Sequence, residues 1–229
     1  MSKNALIVGA GSGISAAVAR ALKREGYAIA LAARNTDKLA ALAREVDAAV
    51  AAVDAAEPAA VAGLFTLLDR TFKSLDLVLY NASRRARGPF VDLDPGDVAA
   101  ALAVTAYGGF LVGQQAAKRM VRQGAGAIFF TGASASVKGY SQSAPFAMGK
   151  FALRGLAQAM ARELQPLGIH VAHFVIDGGV RSAERGRPDD GRDLLLDPEA
   201  IAATYMAVLR QPRSAWSLEV ELRPWGERF

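Results

Sequence analysis

Ala5-Leu6-Ile7-Val8-Gly9-Ala10-Gly11-Ser12-Gly13-Ile14-Ser15 is an apolar run, a glycine-rich turn and the start of a helical pattern, close to the N-terminus. Apolar residues continue at Val18, Ala21 and Leu22, which is the spacing of one helix face. A strand, a glycine turn and a helix N-terminus in this order form an anion site, because backbone N–H groups and the positive helix end point at the same place.

The spacing of the glycines indicates which anion this is. The pattern G-x-G-x-x-G fails because position 14 is Ile, whereas Gly9-x-x-x-Gly13 fits, with Ser15 where a third glycine is expected. In a first strand this turn predicts a site for the pyrophosphate of a nicotinamide dinucleotide. The alternative is a tight strand-to-helix turn that binds no ligand.

The end of the second strand bears on the choice between the two nicotinamide dinucleotides. An acidic residue about twenty positions after the turn would hold a ribose 2′-hydroxyl, but the chain has Ala33-Arg34 there. An Arg pairs with a 2′-phosphate as a charged fork, so Arg34 favours NADP(H) over NAD(H). The alternative is that Arg34 is simply solvated at the end of the strand.

Outward from this turn, short apolar runs alternate with stretches of helical spacing. The predicted strands are Ala5–Val8, Tyr27–Ala33, Ala49–Val53, Leu75–Tyr80, Ala127–Thr131, Ile169–Ile176 and Leu218–Leu222. The predicted helices lie near 14–25, 36–47, 57–73, 97–122, 145–166 and 198–210. Continuously apolar strands are typical of a parallel sheet covered on both faces. The pattern predicts a doubly wound (Rossmann-type) α/β fold, with about seven parallel strands in three α/β/α layers. A single dinucleotide-binding domain over 1–229 suits the chain length.

Composition excludes several classes of protein. The chain has 229 residues, is 52% hydrophobic, carries a formal net charge of +5 and has no Cys, so neither disulfides nor thiolate metal sites are available. Apart from two Arg-rich loops, the positively charged residues are scattered and form no basic aromatic stripe, which predicts no binding to nucleic acid. There is no secretion signal, and no apolar run is expected to approach the roughly 20 residues of a membrane span, so we expect a cytoplasmic protein with no membrane partner.

The two histidines do not predict a metal site. His170 and His173 are three apart in one strand and should face opposite sides, and no cluster has metal-ligand spacing.

Several landmarks occur in a fixed order along almost the whole chain. They are Gly9-x-x-x-Gly13, Asp54, Asn81-Ala82-Ser83, Phe146-x-x-x-Lys150 and Asp177-Gly178. In this set the sequence resembles the short-chain dehydrogenase/reductase family. The resemblance implies that Asp54 faces adenine and Asn81 a ribose. With Arg34, which the end of the second strand predicts, the expected cofactor-binding set is Gly9, Ser12, Gly13, Ile14, Arg34, Asp54, Asn81, Lys150, Val180 and Ser182. Asp177 departs from the Pro-Gly of the family, which weakens the match at Val180 and Ser182.

By the same resemblance, three of the four catalytic residues of the family are replaced in this chain. Enzymes of the family move a hydride between the nicotinamide and a carbonyl or alcohol carbon, and a Tyr, assisted by a Lys four residues on, handles the proton. Here the Tyr position is Phe146, the Ser position is Ala133 and the Asn position is Thr105, so that only Lys150 remains. The resemblance implies that Lys150 contacts the nicotinamide ribose; otherwise it is a solvated Lys of an amphipathic helix.

Other hydroxyl groups are poorly placed to replace the missing ones. Ser134 follows Ala133 by one residue and substitutes for the missing Ser only if the loop slips by one position. Tyr140 lies ten residues before Lys150 and reaches the site only if its loop folds over it. Tyr107 is two residues past Thr105 and points away from the same helix face.

Two Arg-rich loops follow the fourth and sixth strands and leave the same edge of the sheet, where ligands sit. They contain Arg84, Arg85, Arg87, Arg181, Arg185, Arg187 and Arg192. Together they could receive an acidic substrate or cofactor phosphates; alternatively they are solvated polar loops.

The resemblance implies that the helices near 97–122 and 145–166 pair with a second copy, giving a homodimer or homotetramer. The C-terminal aromatic residues Trp225 and Phe229 suit either such an interface or docking on their own domain.

Two functional hypotheses remain from the sequence. The first is an NADP(H)-dependent oxidoreductase of the short-chain class, acting on an unknown carbonyl or alcohol substrate with an altered or impaired proton-transfer site. The second is a cofactor-binding protein without turnover, acting as a redox sensor or partner subunit. Fold-level resemblance does not separate the two, because function depends on the site.

Overall fold

The parallel sheet is the centre of the molecule. The computed structural model describes residues 3–182, 184, 186–189 and 191–227; Arg185 and Phe229 lie outside the described residues. The strands are β1 Asn4–Val8, β2 Ala28–Ala33, β3 Ala49–Ala52, β4 Leu77–Tyr80, β5 Gly126–Thr131, β6 Ile169–Ile176 and β7 Glu219–Leu222. All neighbouring pairs are parallel, in the order β3-β2-β1-β4-β5-β6-β7. This confirms the predicted seven-stranded, doubly wound sheet.

The winding of the sheet reverses between β1 and β4. In this register Val8, the last residue of β1, lies between Ala32 of β2 and Tyr80 of β4. The chain therefore moves outward in one direction from β1 to β3 and in the other from β4 to β7. Ligands of such sheets bind at the crevice outside the carboxyl ends of the strands at this switch point.

Helices cover both faces of the sheet, as the apolar strands require. They are α1 Ile14–Arg24, α2 Ala40–Val46, α3 Pro58–Thr71, α4 Pro95–Leu102, α5 Gly108–Gln123, α6 Ala144–Leu164 and α7 Pro198–Leu209. Buried side chains of α1, α2 and α7 form the core on one face, and those of α3, α5 and α6 form the core on the other. The three-layer arrangement is thus built from two separate apolar cores.

The predicted helix near 97–122 is longer and less regular than expected. A π-helical turn, Ala103–Tyr107, joins α4 to α5, and the buried Tyr80 hydroxyl donates a hydrogen bond to the carbonyl of Val104 inside it. By length and composition alone the 29-residue stretch Pro95–Gln123 could cross a membrane, which corrects the expectation that no such run exists. Core helices pass the same test, and here Val112 is fully buried against the sheet.

Most element boundaries agree with the sequence pattern, and the main difference lies after β2. The predicted helix 36–47 divides into a 3₁₀ turn, Asp37–Leu39, and α2, which is followed by Asp47 in a left-handed conformation.

The two histidines of β6 lie on opposite faces of the sheet, as their spacing predicts. His170 stacks on Trp216 with centroids 4.8 Å apart, whereas His173 contacts Ser136.

Candidate active site

A cleft of about 750 Å³ opens at the carboxyl ends of β1 to β4, where the winding reverses. Nine of the ten predicted cofactor residues line it: Gly9, Ser12, Gly13, Ile14, Arg34, Asp54, Asn81, Val180 and Ser182. The tenth, Lys150, is not among the described residues that line this cleft. The sequence predicts only the order of these residues along the chain. The tertiary structure brings them together from five separate loops.

The glycine turn has the geometry of a backbone cradle. Gly9 has φ +80°, and a Cβ atom there would collide with the backbone of Asn81 and Ala82. The helix that follows has no acidic residue in its first turn, so no carboxylate of α1 itself offsets the positive end of the helix at the cleft. Both features are what a close approach of a phosphate to the backbone requires.

Ser15, which stands where a third glycine was expected, braces this turn. Its buried hydroxyl donates to the carbonyl of Gly9 at 3.2 Å and accepts from Nδ2 of Asn81 at 2.8 Å. The Asn81 side chain is thereby held against the turn that begins the fold. A hydroxyl at position 15 thus couples the loop after β4 to the loop after β1.

One acidic side chain lies at the turn. The hydroxyl of Ser12 donates to Oε2 of Glu184 at 2.6 Å. Glu184 is not among the residues predicted for this site, because the loop after β6 carries no sequence pattern that fixes where its side chains point. A carboxylate here stands beside backbone groups suited to an anion.

The far end of the cleft is positively charged. Arg34, Asn35 and Lys38 line it, and both cationic side chains are exposed. Lys38 was missed, although it is four residues after Arg34 and just beyond β2. Asp54, across the cleft, accepts a hydrogen bond from the backbone N–H of Ala56 at 3.0 Å.

The loop after β6 is pinned next to the cleft by backbone pairing. Ser182 and Arg187 exchange two N–H···O bonds of 2.7 and 2.9 Å, and Leu196 donates to the carbonyl of Gly179 at 2.7 Å. These bonds hold Val180 and Ser182 in the cleft wall.

Asp177, where the family has Pro, is 2% exposed and lies beneath that loop. One of its carboxylate oxygens pairs with Lys138 at 3.5 Å and with Arg223 at 3.3 Å. The departure from Pro-Gly therefore ties β6 to the C-terminal segment, where Pro224 packs close to Gly178.

Lys150 is buried behind the cleft. It is 3% exposed, and its Nζ donates to the carbonyl of Thr131 at 2.6 Å. Burial lowers the pKa of Lys150 to about 7, and the positive charge of Arg85 acts in the same direction. The ring of Phe146, one helical turn earlier, has its centroid 5.7 Å from this Nζ.

Two other positions of the expected catalytic set, Thr105 and Ala133, lie on or next to segments that pack against α6, the helix that carries Lys150. Thr105 is fully buried, and its hydroxyl accepts a 3.2 Å hydrogen bond from the backbone N–H of Arg84. It also packs against α6 at Gly149, where an added Cβ would lie 2.9 Å from the Cβ of Thr105. Ala133 begins the turn after β5, and Ser134 beside it is half-buried.

A buried hydrogen-bonded chain lies behind these positions and was not found from the sequence. The hydroxyl of Ser136 lies 3.3 Å from Nε2 of His173, whose Nδ1 is 3.0 Å from Glu219. Burial lowers the pKa of His173 to about 4, so this imidazole is neutral at neutral pH. Ser136 and His173 are at most 1% exposed, and the Ser136 hydroxyl also accepts from the backbone N–H of Ala133 at 3.1 Å, so we interpret the chain as structural.

The two tyrosines considered as substitutes for the missing hydroxyl, Tyr107 and Tyr140, lie at the surface. Tyr107 is exposed and stacks on Phe110, with centroids 6.2 Å apart. Tyr140 is exposed beside Lys138. Neither contacts Phe146 or Lys150 in any interaction of the described residues.

The predicted basic loops separate into ion pairs and one stacked side chain. Arg84 pairs with Asp97 at 2.7 Å, and Arg181 pairs with Asp197 at 2.9 Å. Arg85 places its guanidinium carbon 4.0 Å from the ring centroid of Phe146.

The exposed Trp225 of the C-terminal segment donates from Nε1 to the carbonyl of Arg192 at 3.2 Å, so this segment docks on its own chain. Among the described residues, no group of three or more His, Asp or Glu side chains is arranged to hold a metal.

Known proteins of similar sequence and structure are oxidoreductases or short-chain dehydrogenases. A family model described as short chain dehydrogenase matches residues 3–187. An uncharacterised oxidoreductase of Staphylococcus aureus is 27% identical over 228 residues, with 97% of each chain covered. A short-chain dehydrogenase from Rhodopseudomonas palustris has 32% identity and a TM-score of 0.84, with 97% of this chain and 99% of that one aligned. An alcohol dehydrogenase from Thermococcus sibiricus, solved with 5-hydroxy-NADP, has 25% identity and a TM-score of 0.89 over 100% and 99% of the chains.

Proposed function

The chain belongs to the short-chain dehydrogenase family, and from this premise we propose that it is an NADP(H)-binding oxidoreductase of a carbonyl or alcohol substrate, with an altered proton-transfer site. The observation that carries the proposal is the cleft at the switch point of the sheet, with the Gly9 turn at its base. The substrate itself is not specified by these residues.

The residues of the cleft fit a nicotinamide dinucleotide. A Cβ at Gly9 would fill the space against Asn81 and Ala82, and the N-terminus of α1 supplies backbone donors for a pyrophosphate. The volume of about 750 Å³ is in the range of small-molecule and cofactor sites. The Ser12–Glu184 bond must open for a phosphate to use the Ser12 hydroxyl.

Two cationic side chains support NADP(H) over NAD(H). Arg34 and Lys38 line the end of the cleft beyond β2, where the 2′-phosphate of NADP(H) would meet them. The relative from Thermococcus sibiricus was solved with 5-hydroxy-NADP, which agrees with this preference.

The altered proton-transfer site follows from the side chains around Lys150. The bound dinucleotide would supply the hydride. Phe146 has no proton to donate and Ala133 has no hydroxyl, while the Thr105 hydroxyl already bonds the backbone of Arg84. Lys150, held by the Thr131 carbonyl, is the titratable group left at this position.

The function is tested by binding and turnover in one preparation. NADPH and NADH are titrated by fluorescence, and a broad panel of carbonyl compounds is then screened for loss of the reduced-nicotinamide absorbance near 340 nm, roughly the band of that chromophore. We expect NADPH to bind more tightly than NADH, with turnover of at least one carbonyl class. Absence of binding by both nucleotides would contradict the whole proposal.

A second candidate function is cofactor binding without turnover, as a redox sensor or partner subunit. The observation that favours it is the replacement of the hydroxyl-bearing positions by Phe146 and Ala133. Tight NADPH binding with no oxidation across the panel would favour this candidate over the enzyme.

Self-association is the proposed quaternary arrangement, as a homodimer or homotetramer. Apolar side chains are exposed along α4–α5 and α6: Tyr107, Phe110, Val121, Met148 and Phe151. α5 and α6 pack on each other, and exposed apolar side chains on neighbouring helices suit an interface. Light scattering after size exclusion measures the assembly, and a monomer at micromolar concentration would contradict it.

A further inference from the structure

The C-terminal segment, residues 223–227, lies against the loop that follows β6. A Cβ added at Gly178 would lie 2.7 Å from Cδ of Pro224, and one added at Gly226 would lie 2.7 Å from Cδ2 of Leu194. Trp225 donates from Nε1 to the carbonyl of Arg192 at 3.2 Å. The segment therefore contacts the loop both where it leaves β6 and where it returns towards α7.

Asp177 anchors this segment to the end of β6. Its carboxylate, 2% exposed, pairs with the guanidinium of Arg223 at 3.3 Å and with Nζ of Lys138 at 3.5 Å. Its backbone N–H donates to the carbonyl of Leu222 at 2.8 Å. Arg223 also pairs with Glu221 of β7, so its guanidinium joins the last two strands. A buried carboxylate holds its cations firmly, because leaving it unpaired away from water is costly.

The anchored loop forms one wall of the cofactor cleft. Residues 180–182 line the cleft, and they begin three positions after Asp177. The returning part of the loop pairs with this wall: the N–H of Leu196 donates to the carbonyl of Gly179 at 2.7 Å, and the N–H of Arg181 donates to the carbonyl of Leu196 at 2.9 Å. The wall is thus held between Asp177 and Leu196, and the C-terminal segment contacts the chain next to both.

We propose that Arg223 is a positioning residue for the cofactor: through Asp177 it holds the C-terminal segment against the loop and keeps residues 180–182 in the form that receives the nicotinamide half of the dinucleotide. Arg34 and Lys38 line the cleft on the loop after β2, so the adenosine end of the ligand should not depend on Arg223. This inference rests on the proposed function and extends it to a segment that acts on the cleft from behind.

The test separates the two halves of the ligand. NADPH and 2′,5′-ADP, which carries the adenosine phosphates but no nicotinamide half, are titrated into full-length protein by calorimetry. Amide hydrogen exchange is then measured by NMR at Arg181 and Leu196. The variants are R223M, R223K and W225F, with R210M as the matched control. Arg210 is exposed, pairs with Glu25 and is not among the described residues that line the cleft.

We expect R223M to exchange both amides about tenfold faster than the parent, because the loop opens locally more often. Its NADPH dissociation constant should rise about five- to tenfold, the effect of one or two lost hydrogen bonds, while that of 2′,5′-ADP stays unchanged. R223K keeps the charge and should retain most of the parent behaviour. W225F removes only the donor to Arg192 and should show a smaller change of the same kind, and R210M should match the parent.

Unchanged exchange of both amides in R223M and W225F would overturn the inference. Equal losses of NADPH and 2′,5′-ADP, or an R223K variant as weak as R223M, would do the same, since a merely structural role predicts them. Lys138 still pairs with Asp177 in R223M; if that variant nevertheless fails to fold, W225F decides by the same two measurements. Failure of the parent to bind either nucleotide would instead refute the proposed function, and the exchange rates would still show whether the segment holds the loop.

Discussion

The Ser12 hydroxyl donates a 2.6 Å hydrogen bond to Oε2 of Glu184, a residue 172 positions away in the chain. The bond links the glycine turn after β1 to the loop after β6 across the mouth of the cleft. A carboxylate at this point competes, through both its charge and its acceptor oxygen, with a phosphate that approaches the N-terminus of α1.

Removing that charge should tighten cofactor binding. E184Q keeps an acceptor oxygen for Ser12 but lacks the negative charge, so we expect the NADPH dissociation constant to fall about two- to fivefold, the usual range for an exposed charge. Fluorescence titration at low salt measures it. E163Q, which neutralises an exposed Glu of α6, is the control; an equal gain in E163Q, or weaker binding in E184Q, would contradict the explanation.

Cofactor preference should depend on Arg34 and Lys38. Each of R34Q and K38Q removes one cation from the end of the cleft, and we expect NADPH affinity to drop about tenfold while NADH affinity is unchanged, because NADH has no 2′-phosphate. R44Q, an exposed Arg of α2 outside the cleft lining, is the matched control. Parallel losses for both nucleotides would assign these side chains another role.

The two glycines of the turn should differ in what they tolerate. G9A places a Cβ against the backbone of Ala82 at φ +80°, a conformation that costs a non-glycine residue about 1–3 kcal/mol before the collision is added. A Cβ at Gly11 meets nothing within 4 Å. Urea unfolding should therefore find G9A strongly destabilised and G11A close to the parent; similar stabilities would show that the turn adapts.

The buried Lys150 should make stability depend on pH in a defined window. Its pKa is about 7 in the folded protein, below the roughly 10.4 of an unfolded chain. Between these values the unfolded state binds more protons, so Lys150 makes the free energy of unfolding rise with pH, by up to about 1.4 kcal/mol per pH unit. K150M removes this contribution. Urea unfolding of both proteins at pH 7.0, 8.5 and 10 checks it, and a constant difference between them would refute the shift.

Restoring the phenol alone should restore little catalysis. F146Y adds a hydroxyl, but Ala133 still offers none, and the Thr105 hydroxyl remains bonded to Arg84. We expect F146Y to change the NADPH-dependent rate on any substrate found in the panel only slightly, and F146Y/A133S to exceed it clearly. A single variant as fast as the double one would be the contrary result.

Sequence reasoning succeeded where the signal is local. The apolar strands, the glycine turn and the helix spacing predict the order of elements, and the resemblance orders the cofactor residues that now line one cleft. It failed for Glu184 and Lys38, because nothing periodic fixes the direction of a side chain in an irregular loop. It also missed the Ser136–His173–Glu219 chain, whose members come from three elements that meet only in the folded sheet.

By itself, the sequence determined the doubly wound fold, because the alternating apolar periods that predict it do not depend on distant contacts. It also determined the identities of Phe146 and Ala133, on which the proposal of an altered proton-transfer site depends. Only the tertiary structure decided that Lys150 turns inward to Thr131, that Glu184 reaches Ser12 and that Arg85 stacks on Phe146. The physical reason is that these pairings form between loops at the carboxyl edge of the sheet, and their partners are chosen by packing and desolvation rather than by spacing along the chain.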